Sequence, residues 1–453
     1  MAVGQPAFGS LPSSSNRPVI TVLGATGTGK TKLSVHLCRQ FNGEVISTDS
    51  MQIYQALDIV TNKATPEEMQ DIPHHMLSFL SPKITGYSVT HFRDKALQIM
   101  EDIWSRNKVP VLVGGTTYYT EAILWNTLID VPAKNRSDQP YEPEIPASLT
   151  QMSNEELYAE LRRVDPAWAE QVHHNNRARM MRAIQIFYDS GRTKSDILAE
   201  MRRNTGSDLG GSLRFDKTIV FYLDAEPDVL KERLDKRVDQ MVQLGLRQEL
   251  CDFVVNYPPP AGLDNIDRAM GIHQSIGLKE FAPFLQLSPE QRDSPEGERL
   301  FQDGCELLKL HTRQYAKKQR TWVKSRLLKR VKRQLPPVYL LDSTDPRAFD
   351  TTVMELACKI VDDFLNDRPI DHPQATVSED HPEAITDENY STNANQLLRC
   401  EICNLTLQGR VQWDEHVAGK NHKYQRGLLA RKKRLESGQT EQALPAENAI
   451  LKS

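Results

Sequence analysis

Long apolar runs, abundant cysteine and an excess of basic residues are all missing from this sequence. No stretch of about 18 consecutive apolar residues occurs, so an ordinary membrane-spanning helix is excluded. The six cysteines are too few and too scattered for a disulfide scaffold, and we expect a reducing compartment. If charge is spread evenly, the formal net charge of −4 also argues against a basic nucleic-acid-binding protein.

The composition that remains is that of a globular protein with several domains. The chain has 453 residues, of which 26% are charged and 39% hydrophobic, and this argues against wholesale disorder. At roughly 100–200 residues per domain, we expect two or three folded units. Residues 1–18 contain Arg17, no acidic residue and no apolar signal core. They read as a disordered tail, with an organelle transit peptide as the alternative.

Short β-rich segments alternate with helical spacing from residue 19 onward. The predicted strands are residues 19–23, 44–47, 109–113, 218–223 and 337–341. This alternation predicts an α/β fold, a parallel sheet with helices on both faces. From about residue 130 to residue 213 the pattern is only helical, at 154–164 and 177–190, and predicts a helical insertion.

Residues 24–31 match the P-loop pattern G-x-x-x-x-G-K-[ST]. A strand precedes them and an apolar-periodic helix follows, the context in which this motif binds phosphates. It predicts a P-loop NTPase-like sheet in which Lys30 meets a terminal phosphate and the Thr31 hydroxyl binds Mg²⁺. The motif indicates a di- or triphosphate without naming it, so a small-molecule or nucleoside kinase is an open alternative.

Two more strand ends carry polar groups. Asp49 follows the second predicted strand, where a carboxylate faces the ligand crevice of a parallel sheet. It is a candidate Mg²⁺ ligand or general base, with a helix-capping aspartate as the alternative. Gly114 and Gly115 allow a ligand close to the backbone, and Thr116 adds a hydroxyl, although a simple tight turn would need the same residues.

Charge is in fact uneven along the chain. Residues 309–333 hold eleven Lys or Arg and no Asp or Glu, which favours a phosphate backbone as partner. Arg177, Arg179 and Arg182 can share a helix face suited to loop phosphates, with a solvated face as the alternative. Residues 367–388 hold seven acidic residues and three prolines, and read as a solvated linker.

A zinc-finger pattern follows this linker. Cys400-x₂-Cys403-x₁₂-His416-x₅-His422 has the ligand spacing of a two-Cys, two-His site for structural Zn²⁺. Residues 416–434 hold seven Lys or Arg and no acidic residue, so we expect the finger to add RNA affinity. A protein-binding finger is the alternative, and residues 431–434 could instead be a nuclear localisation signal.

In combination these segments resemble the tRNA dimethylallyltransferases, also called tRNA isopentenyltransferases. Besides the P-loop, the likeness rests on residues 49–54, 58–63, 74–75, 114–119, 233–241, 274–280 and 312–322. The finger resembles the matrin/U1 type that eukaryotic members carry. The resemblance implies transfer of a dimethylallyl group from dimethylallyl diphosphate to N6 of the adenosine 3′ of the anticodon in certain tRNAs, with release of pyrophosphate.

The resemblance also implies roles for particular residues. Asp49 would take the N6 proton, and Thr31 and Arg237 would act on the diphosphate; without the resemblance Arg237 reads as a surface residue. The implied diphosphate site is Gly24, Ala25, Thr26, Gly27, Thr28, Gly29, Lys30, Thr31 and Thr116. The implied tRNA contacts are Asp49, Ser50, Met51, Gln52, Arg177, Ala178, Arg179, Met180, Met181, Arg182, Ser275, Ile276, Gly277, Leu278, Lys279 and Glu280.

The expected domain map and partners follow. The map is a tail at 1–18, a catalytic core at 19–130 and 214–345, an insertion at 131–213, a core helix at 346–365, a linker at 366–394, a finger at 395–425 and a basic, then disordered tail at 426–453. The expected partners are the tRNA anticodon stem-loop and dimethylallyl diphosphate, with no membrane. We expect a monomer in the cytoplasm, with mitochondria and nucleus as further compartments. An RNA-binding regulator with a dead active site is a third alternative, disfavoured by the intact motif residues.

Overall fold

The computed structural model describes residues 17–129, 146–205, 211–260, 262–268, 270–329, 333–377 and 397–436. The predicted N-terminal tail up to residue 16, the linker from residue 378 and the C-terminal tail from residue 437 lie outside these ranges. The chain divides into two compact units. One takes in the described parts of Met1–Glu144 and Glu200–Ile385, and the other those of Ile145–Ala199 and Thr386–Ser453.

A six-stranded parallel sheet forms the centre of the first unit. Its strands are β1 (Val19–Gly24), β2 (Gly43–Ser47), β3 (His74–His75), β4 (Val109–Val113), β5 (Thr218–Asp224) and β6 (Val338–Asp342). They lie in the order β3-β2-β4-β1-β5-β6. In the central strand, Ile20 pairs with Val111 of β4 on one side and Ile219 of β5 on the other.

The helices follow in chain order. They are α1 (Lys30–Gln40), α2 (Pro66–Met69), α3 (Val89–Ser105), α4 (Thr117–Leu124), α5 (Ala147–Gln151), α6 (Asn154–Val164), α7 (Pro166–Ala169), α8 (Arg177–Ser190), α9 (Lys194–Thr205), α10 (Pro227–Gln243), α11 (Leu246–Asn256), α12 (Ala282–Leu285), α13 (Pro289–Arg292), α14 (Pro295–Val323), α15 (Leu356–Leu365), α16 (Arg410–Ala418) and α17 (Lys420–Glu436). Short 3₁₀ segments occupy Leu263–Arg268 and Gly271–Gln274, and π-helical turns occupy Lys324–Leu328 and Asp350–Glu355.

Two hydrophobic cores lie on opposite faces of the sheet. Alternate residues of β5 show the division, since Phe221 packs with α1 and α15 whereas Tyr222 belongs to the larger core that includes α3 and α14. Strands covered on both faces are mostly apolar, which is why the sequence shows nearly continuous apolar runs there, although Thr21, Glu44 and Thr218 are buried polar exceptions. The predicted parallel α/β sheet with helices on both faces is confirmed.

The second unit contains helices and a small hairpin. In the insertion, Ser153 caps α6 through a capping box with Glu156, and the core includes Leu157, Leu161 and Ile184. The helices predicted at 154–164 and 177–190 are present as α6 and α8. In the finger, β7 (Leu397–Cys400) pairs antiparallel with β8 (Leu405–Gln408), and α16 and α17 follow.

Candidate active site and zinc site

The P-loop joins β1 to α1 and needs glycine at two positions. Gly27 and Gly29 have φ values of 88° and 87°, which favour glycine. A Cβ on Gly29 would also lie 2.6 Å from the Phe349 ring. The turn therefore brings the start of α1, with its free N–H groups, to the carboxyl end of the sheet, where an anion binds favourably.

Two partly buried cations lie beside this loop. The Lys30 ammonium donates to the Ala25 carbonyl at 2.9 Å, and Arg237 Nη1 donates to the Thr26 hydroxyl at 2.8 Å. Burial and the charge of Arg237 lower the pKa of Lys30 to about 8, while Asp49 opposes this shift. Burial also lowers the pKa of Arg237. Glu68 opposes the shift at Arg237, and a bound diphosphate would favour the charged form of both groups.

Asp49 lies in a turn after β2, not before a helix. Its Oδ1 accepts the Met51 N–H at 2.9 Å, an Asx turn that explains why an aspartate fits the local backbone. The helix-cap alternative is therefore wrong, because residues 50–53 form a turn. Burial raises the pKa of Asp49, against the N–H of Met51 and the charge of Lys30. A raised pKa makes this carboxylate a better proton acceptor.

Gln319 on α14 connects two parts of the site and was not singled out from the sequence. Its Oε1 accepts the Thr26 N–H at 2.8 Å, and its Nε2 donates to the Gly115 carbonyl at 3.0 Å. A Cβ on Gly115 would lie 2.3 Å from that nitrogen, so this glycine is needed for the close approach. Thr312, Tyr315 and Gln319 follow helical spacing and all line the same cavity, but the spacing alone does not show which face of the helix is covered.

The P-loop, Asp49 and α14 enclose a cavity of about 450 Å³. Its polar lining comes from the segments that follow β1 and β2 and from α10 and α14, and includes Thr26, Lys30, Thr31, Asp49, Arg237, Thr312, Tyr315 and Gln319. An apolar lining accompanies it, with Val60, Leu77, Val238, Met241, Ile276 and Leu308. The cavity thus combines cations suited to a diphosphate with a surface suited to a small hydrocarbon group.

The remaining predicted diphosphate residues have structural contacts. The Ala25 carbonyl accepts from both Lys30 and the Thr28 hydroxyl, which keeps the loop closed behind the cavity. A Cβ on Gly24 would lie 2.5 Å from the Leu223 carbonyl. The Thr116 hydroxyl accepts the Ser50 N–H at 3.0 Å and lies 3.1 Å from the Ser50 hydroxyl. Thr116 thereby ties the residues after β4 to those after β2.

The four predicted zinc ligands come together at the end of the finger hairpin. Their ligand atoms all lie within 4.8 Å of one another. His422 Nδ1 lies 3.5 Å from Cys400 Sγ, 3.6 Å from Cys403 Sγ and 3.1 Å from His416 Nε2. A tetrahedral zinc site would place sulfur and nitrogen about 3.6 Å apart, and two nitrogens about 3.4 Å apart. The residues therefore fit a structural zinc ion.

The geometry agrees with what comparison with known proteins shows. Residues 52–326 match the family model described as IPP transferase. The tRNA dimethylallyltransferase of Mus musculus is 37% identical over 428 residues, which cover 92% of this chain and 87% of the relative. This chain belongs to the tRNA dimethylallyltransferase family. The predicted family is thus confirmed, and membership favours the transferase prediction over the kinase alternative.

Other members of the family match over similar lengths. The tRNA dimethylallyltransferase of Saccharomyces cerevisiae is 32% identical, over 90% of this chain and 92% of the relative. A crystal structure of a eukaryotic dimethylallyltransferase acting on tRNA superposes with a TM-score of 0.73 at 28% identity, covering 93% of this chain and 99% of that one. An isopentenyl transferase model matches residues 18–78, and a C2H2 zinc-finger model matches residues 398–422.

In this family member, the predicted tRNA-contacting residues of the first unit differ in exposure: residues 49–52, Ile276 and Lys279 are partly exposed, whereas Ser275, Gly277, Leu278 and Glu280 are buried. The segment at 49–52 and both Ser275 and Ile276 line the cavity. Leu278, by contrast, is fully buried. Glu280 is also buried, and its two oxygens contact the Gly277 N–H at 2.7 Å and His311 Nδ1 at 2.5 Å. Leu278 and Glu280 thus stabilise the conformation of residues 275–280 through buried contacts.

The predicted tRNA-contacting residues of the insertion are also of two kinds. Ala178 and Arg179 are exposed, whereas the Met180 side chain is fully buried in the insertion core. Arg177 donates to the carbonyls of Leu149 and Thr150, so its guanidinium links α8 to α5. Arg182 and Met181 are partly exposed. Arg179 has the most open side chain of the three arginines.

The basic segment is less uniform than its sequence suggests. Five of its cations pair with carboxylates on other elements: Lys309 with Asp239, Arg313 with Asp235, Arg320 with Asp224, and both Arg326 and Arg333 with Glu121. Reading the segment as having no counter-charge is therefore wrong for these residues, because the acids come from α10, β5 and α4. Lys317 and Lys318 are exposed on α14, and within the described ranges no ion pair involves them.

The described helices include none that is both long and apolar enough to cross a lipid bilayer.

Proposed function

We propose that this protein transfers a dimethylallyl group from dimethylallyl diphosphate to N6 of the adenosine 3′ of the anticodon in certain tRNAs, releasing pyrophosphate. The observation that carries the proposal is one cavity in which two partly buried cations and a partly buried carboxylate lie beside an apolar lining. Lys30 and Arg237 suit the diphosphate, Asp49 suits a proton, and the apolar lining suits a five-carbon group.

The chemistry assigns a task to each group. Charge grows on pyrophosphate as the allylic carbon–oxygen bond breaks, so fixed cations at the P-loop lower the barrier. Arg237, with a planar fork of donors, suits two phosphate oxygens better than a lysine would. Mg²⁺, held by the diphosphate and the Thr31 hydroxyl, would supply further positive charge to the leaving group.

Asp49 is proposed as the base for the adenine amine. The N6 lone pair is delocalised into the ring, so the amine needs proton removal as it attacks the carbon. The new C–N bond forms as the carbon–oxygen bond breaks, and the N6 proton goes to an Asp49 carboxylate oxygen. The adenosine must leave its stack to reach this cavity, as bases do in enzymes that modify them.

The finger is proposed to hold structural Zn²⁺ and to add tRNA affinity. Four ligand atoms at tetrahedral spacing support the first part. The basic residues that follow His416 support the second, since phosphate neutralisation is the main source of RNA affinity. We also propose the domain boundaries expected from the sequence, with the finger at 395–425.

The experiment is a transfer assay with three separable results. The protein is incubated with Mg²⁺, labelled dimethylallyl diphosphate and a tRNA whose anticodon loop carries the target adenosine. Label in the tRNA, mapped to that adenosine by nuclease digestion and mass spectrometry, is the expected result. Absence of label from a folded protein that binds tRNA would refute the proposal, and ATP consumption in its place would support the kinase.

The finer expectations about cell location and assembly are also proposals. We infer a monomer in the cytoplasm, with further pools in mitochondria and nucleus. Zinc binding by Cys400 and Cys403 requires reduced thiols, which supports a reducing compartment. Fractionation of cells that express a tagged protein, and light scattering of the purified chain, test the two statements.

A further inference from the structure

The zinc finger contacts the insertion directly, although 233 residues separate the contacting positions. His173 Nε2 lies 2.9 Å from the Thr406 carbonyl, and Gln408 Nε2 donates to the Gln171 carbonyl at 2.9 Å. Both finger residues lie on β8. Beside these bonds lies an open cavity of about 410 Å³, lined from the insertion by residues such as Tyr158 and from the finger by Leu397 and Thr406.

The His173 ring is held in one tautomer. The Asn175 N–H donates to its Nδ1 at 3.1 Å, so Nδ1 is the acceptor and Nε2 carries the hydrogen. That hydrogen points to the Thr406 carbonyl, which makes the contact a defined donor–acceptor bond. The neighbouring His174 ring stacks on His173 with centroids 4.3 Å apart. A two-stranded sheet leaves a strand edge unpaired, and His173 satisfies a carbonyl of β8.

On the finger side, the contacting strand depends on the zinc site. β7 ends at Cys400, and Cys403 lies in the turn that leads into β8. Zinc bound by these two thiolates and the two histidines would fix the turn, and with it the position of Thr406 and Gln408. Small zinc modules lose their fold without metal, so metal loss would also release β8.

On the insertion side, the contacted loop leads directly into α8. Asn176 follows it and caps this helix, because its Oδ1 accepts the Arg179 N–H at 3.3 Å. The helix begins with Arg177 and continues through Arg179 to Arg182. A contact that holds residues 171–175 therefore holds the start of the helix that carries these arginines.

We propose that the zinc-loaded finger docks through β8 on the loop at 171–175 and positions the start of α8, so that finger and insertion bind RNA as one body. His173 and Gln408 are then positioning residues. Zinc acts on tRNA affinity through this dock as well as through the finger's own basic residues. The RNA part of this inference rests on the proposed function, whereas the docking itself does not.

The test uses the full-length, zinc-loaded protein and measures amide hydrogen exchange without RNA. Removing zinc with a chelator is expected to speed exchange at residues 171–179, and His173→Ala and Gln408→Ala are expected to speed it about 2- to 10-fold each with zinc present. Zinc content, measured by atomic absorption, should stay at one ion per chain in both variants. Gln171→Ala is the matched control, because its backbone carbonyl remains and its side chain bonds only to Ala167.

Two results would overturn the proposal. One is an unchanged exchange rate at residues 171–179 after zinc removal, in a protein whose finger amides do exchange faster. The other is an equal effect of Gln408→Ala with and without zinc, since the zinc-free finger should already be undocked. In tRNA binding, His173→Ala and Gln408→Ala should each weaken affinity. In a chain that carries both substitutions, removing zinc should lower affinity further only by the loss of the finger's own contacts with tRNA. If exchange at residues 171–179 depends on zinc but the protein fails to prenylate tRNA, the docking proposal is supported and the proposed function is refuted.

Discussion

At the residue scale, the site is defined by two partly buried cations beside one partly buried carboxylate. Lys30 and Arg237 share the cavity with Asp49, while Glu68 at the cavity lining is exposed, and burial lowers the pKa of both cations. Such an arrangement costs stability in the protein alone and is favourable only when an anion binds. The two-cation cluster therefore argues for a phosphate ligand independently of any sequence motif.

Replacing Asp49 with asparagine should separate chemistry from binding. The amide side chain would keep the shape and can still accept the Met51 N–H, but it cannot take a proton at neutral pH. We expect Asp49→Asn to lower the rate of prenyl transfer by about 10²- to 10⁴-fold, with the tRNA dissociation constant within about twofold. Single-turnover assays and filter binding measure the two quantities, with Asp71→Asn as an exposed control. Equal loss of both would make Asp49 a structural residue.

The lowered pKa of Lys30 predicts a pH dependence for diphosphate binding. Below pH 8 Lys30 is already charged, since its pKa is about 8, and affinity should be level. Above pH 8 a proton must be taken up with the anion, so affinity for dimethylallyl diphosphate should fall by up to about tenfold per pH unit. Calorimetry with Mg²⁺ between pH 7 and 9.5 measures this. In Lys30→Arg the slope should vanish; the same slope there would assign it to another group.

Gln319 offers a test of how the P-loop is held. Gln319→Leu keeps the size of the side chain but removes the acceptor of the Thr26 N–H and one of the two donors to the Gly115 carbonyl, leaving the Tyr315 hydroxyl at 3.4 Å. We expect a loss of about 1–3 kcal/mol in the free energy of unfolding and a drop in kcat/KM for prenyl transfer. Thermal melts and steady-state kinetics measure these. Gln314→Leu, at an exposed position of the same helix, should change neither, and a Gln319→Leu protein as active as the parent would contradict the assigned bridge.

At the element scale, strands were easier to predict than contacts between elements. Five of the six strands are visible as apolar runs because both sheet faces cover them. β3 consists of His74 and His75 and exists only through its pairing with β2, which no local pattern reveals. The bridge made by Gln319 was missed for a related reason: the burial of a polar helix residue depends on what packs against it. The acids that pair with the basic segment likewise come from distant elements.

The pairing within the basic segment predicts which lysines bind RNA. Lys317 and Lys318 are exposed on α14, whereas Lys309 pairs with Asp239 and Arg313 with Asp235. We expect Lys317→Gln with Lys318→Gln to weaken tRNA binding and to lower the slope of log affinity against log salt by about 1.5. Fluorescence titrations at several salt concentrations measure this slope. Lys236→Gln, an exposed lysine paired with Glu232, is the control, and an unchanged slope in the double variant would remove α14 from the RNA surface.

At the scale of the whole molecule, the net charge of −4 conceals two kinds of region. The linker is acidic, while α14 and the residues after His416 are basic. The positions of the charges along the chain therefore indicate an RNA partner, whereas the net charge does not. The same division suggests that affinity and chemistry reside in different parts of the chain, because every residue proposed for chemistry lies in the first unit.

Deleting residues 395–453 tests that separation. The truncated chain keeps the P-loop, Asp49, Arg237 and Gln319, so its affinity for dimethylallyl diphosphate should stay within about twofold. It loses eight basic residues after His416 together with the zinc site, so tRNA affinity should fall, by about tenfold or more at physiological salt. The deletion should raise KM for tRNA and leave kcat nearly unchanged. The rate of prenyl transfer should therefore approach the full-length rate when the tRNA concentration is raised to saturation. A truncated protein that is folded and binds the diphosphate, yet stays inactive at saturating tRNA, would place part of the chemistry in the finger.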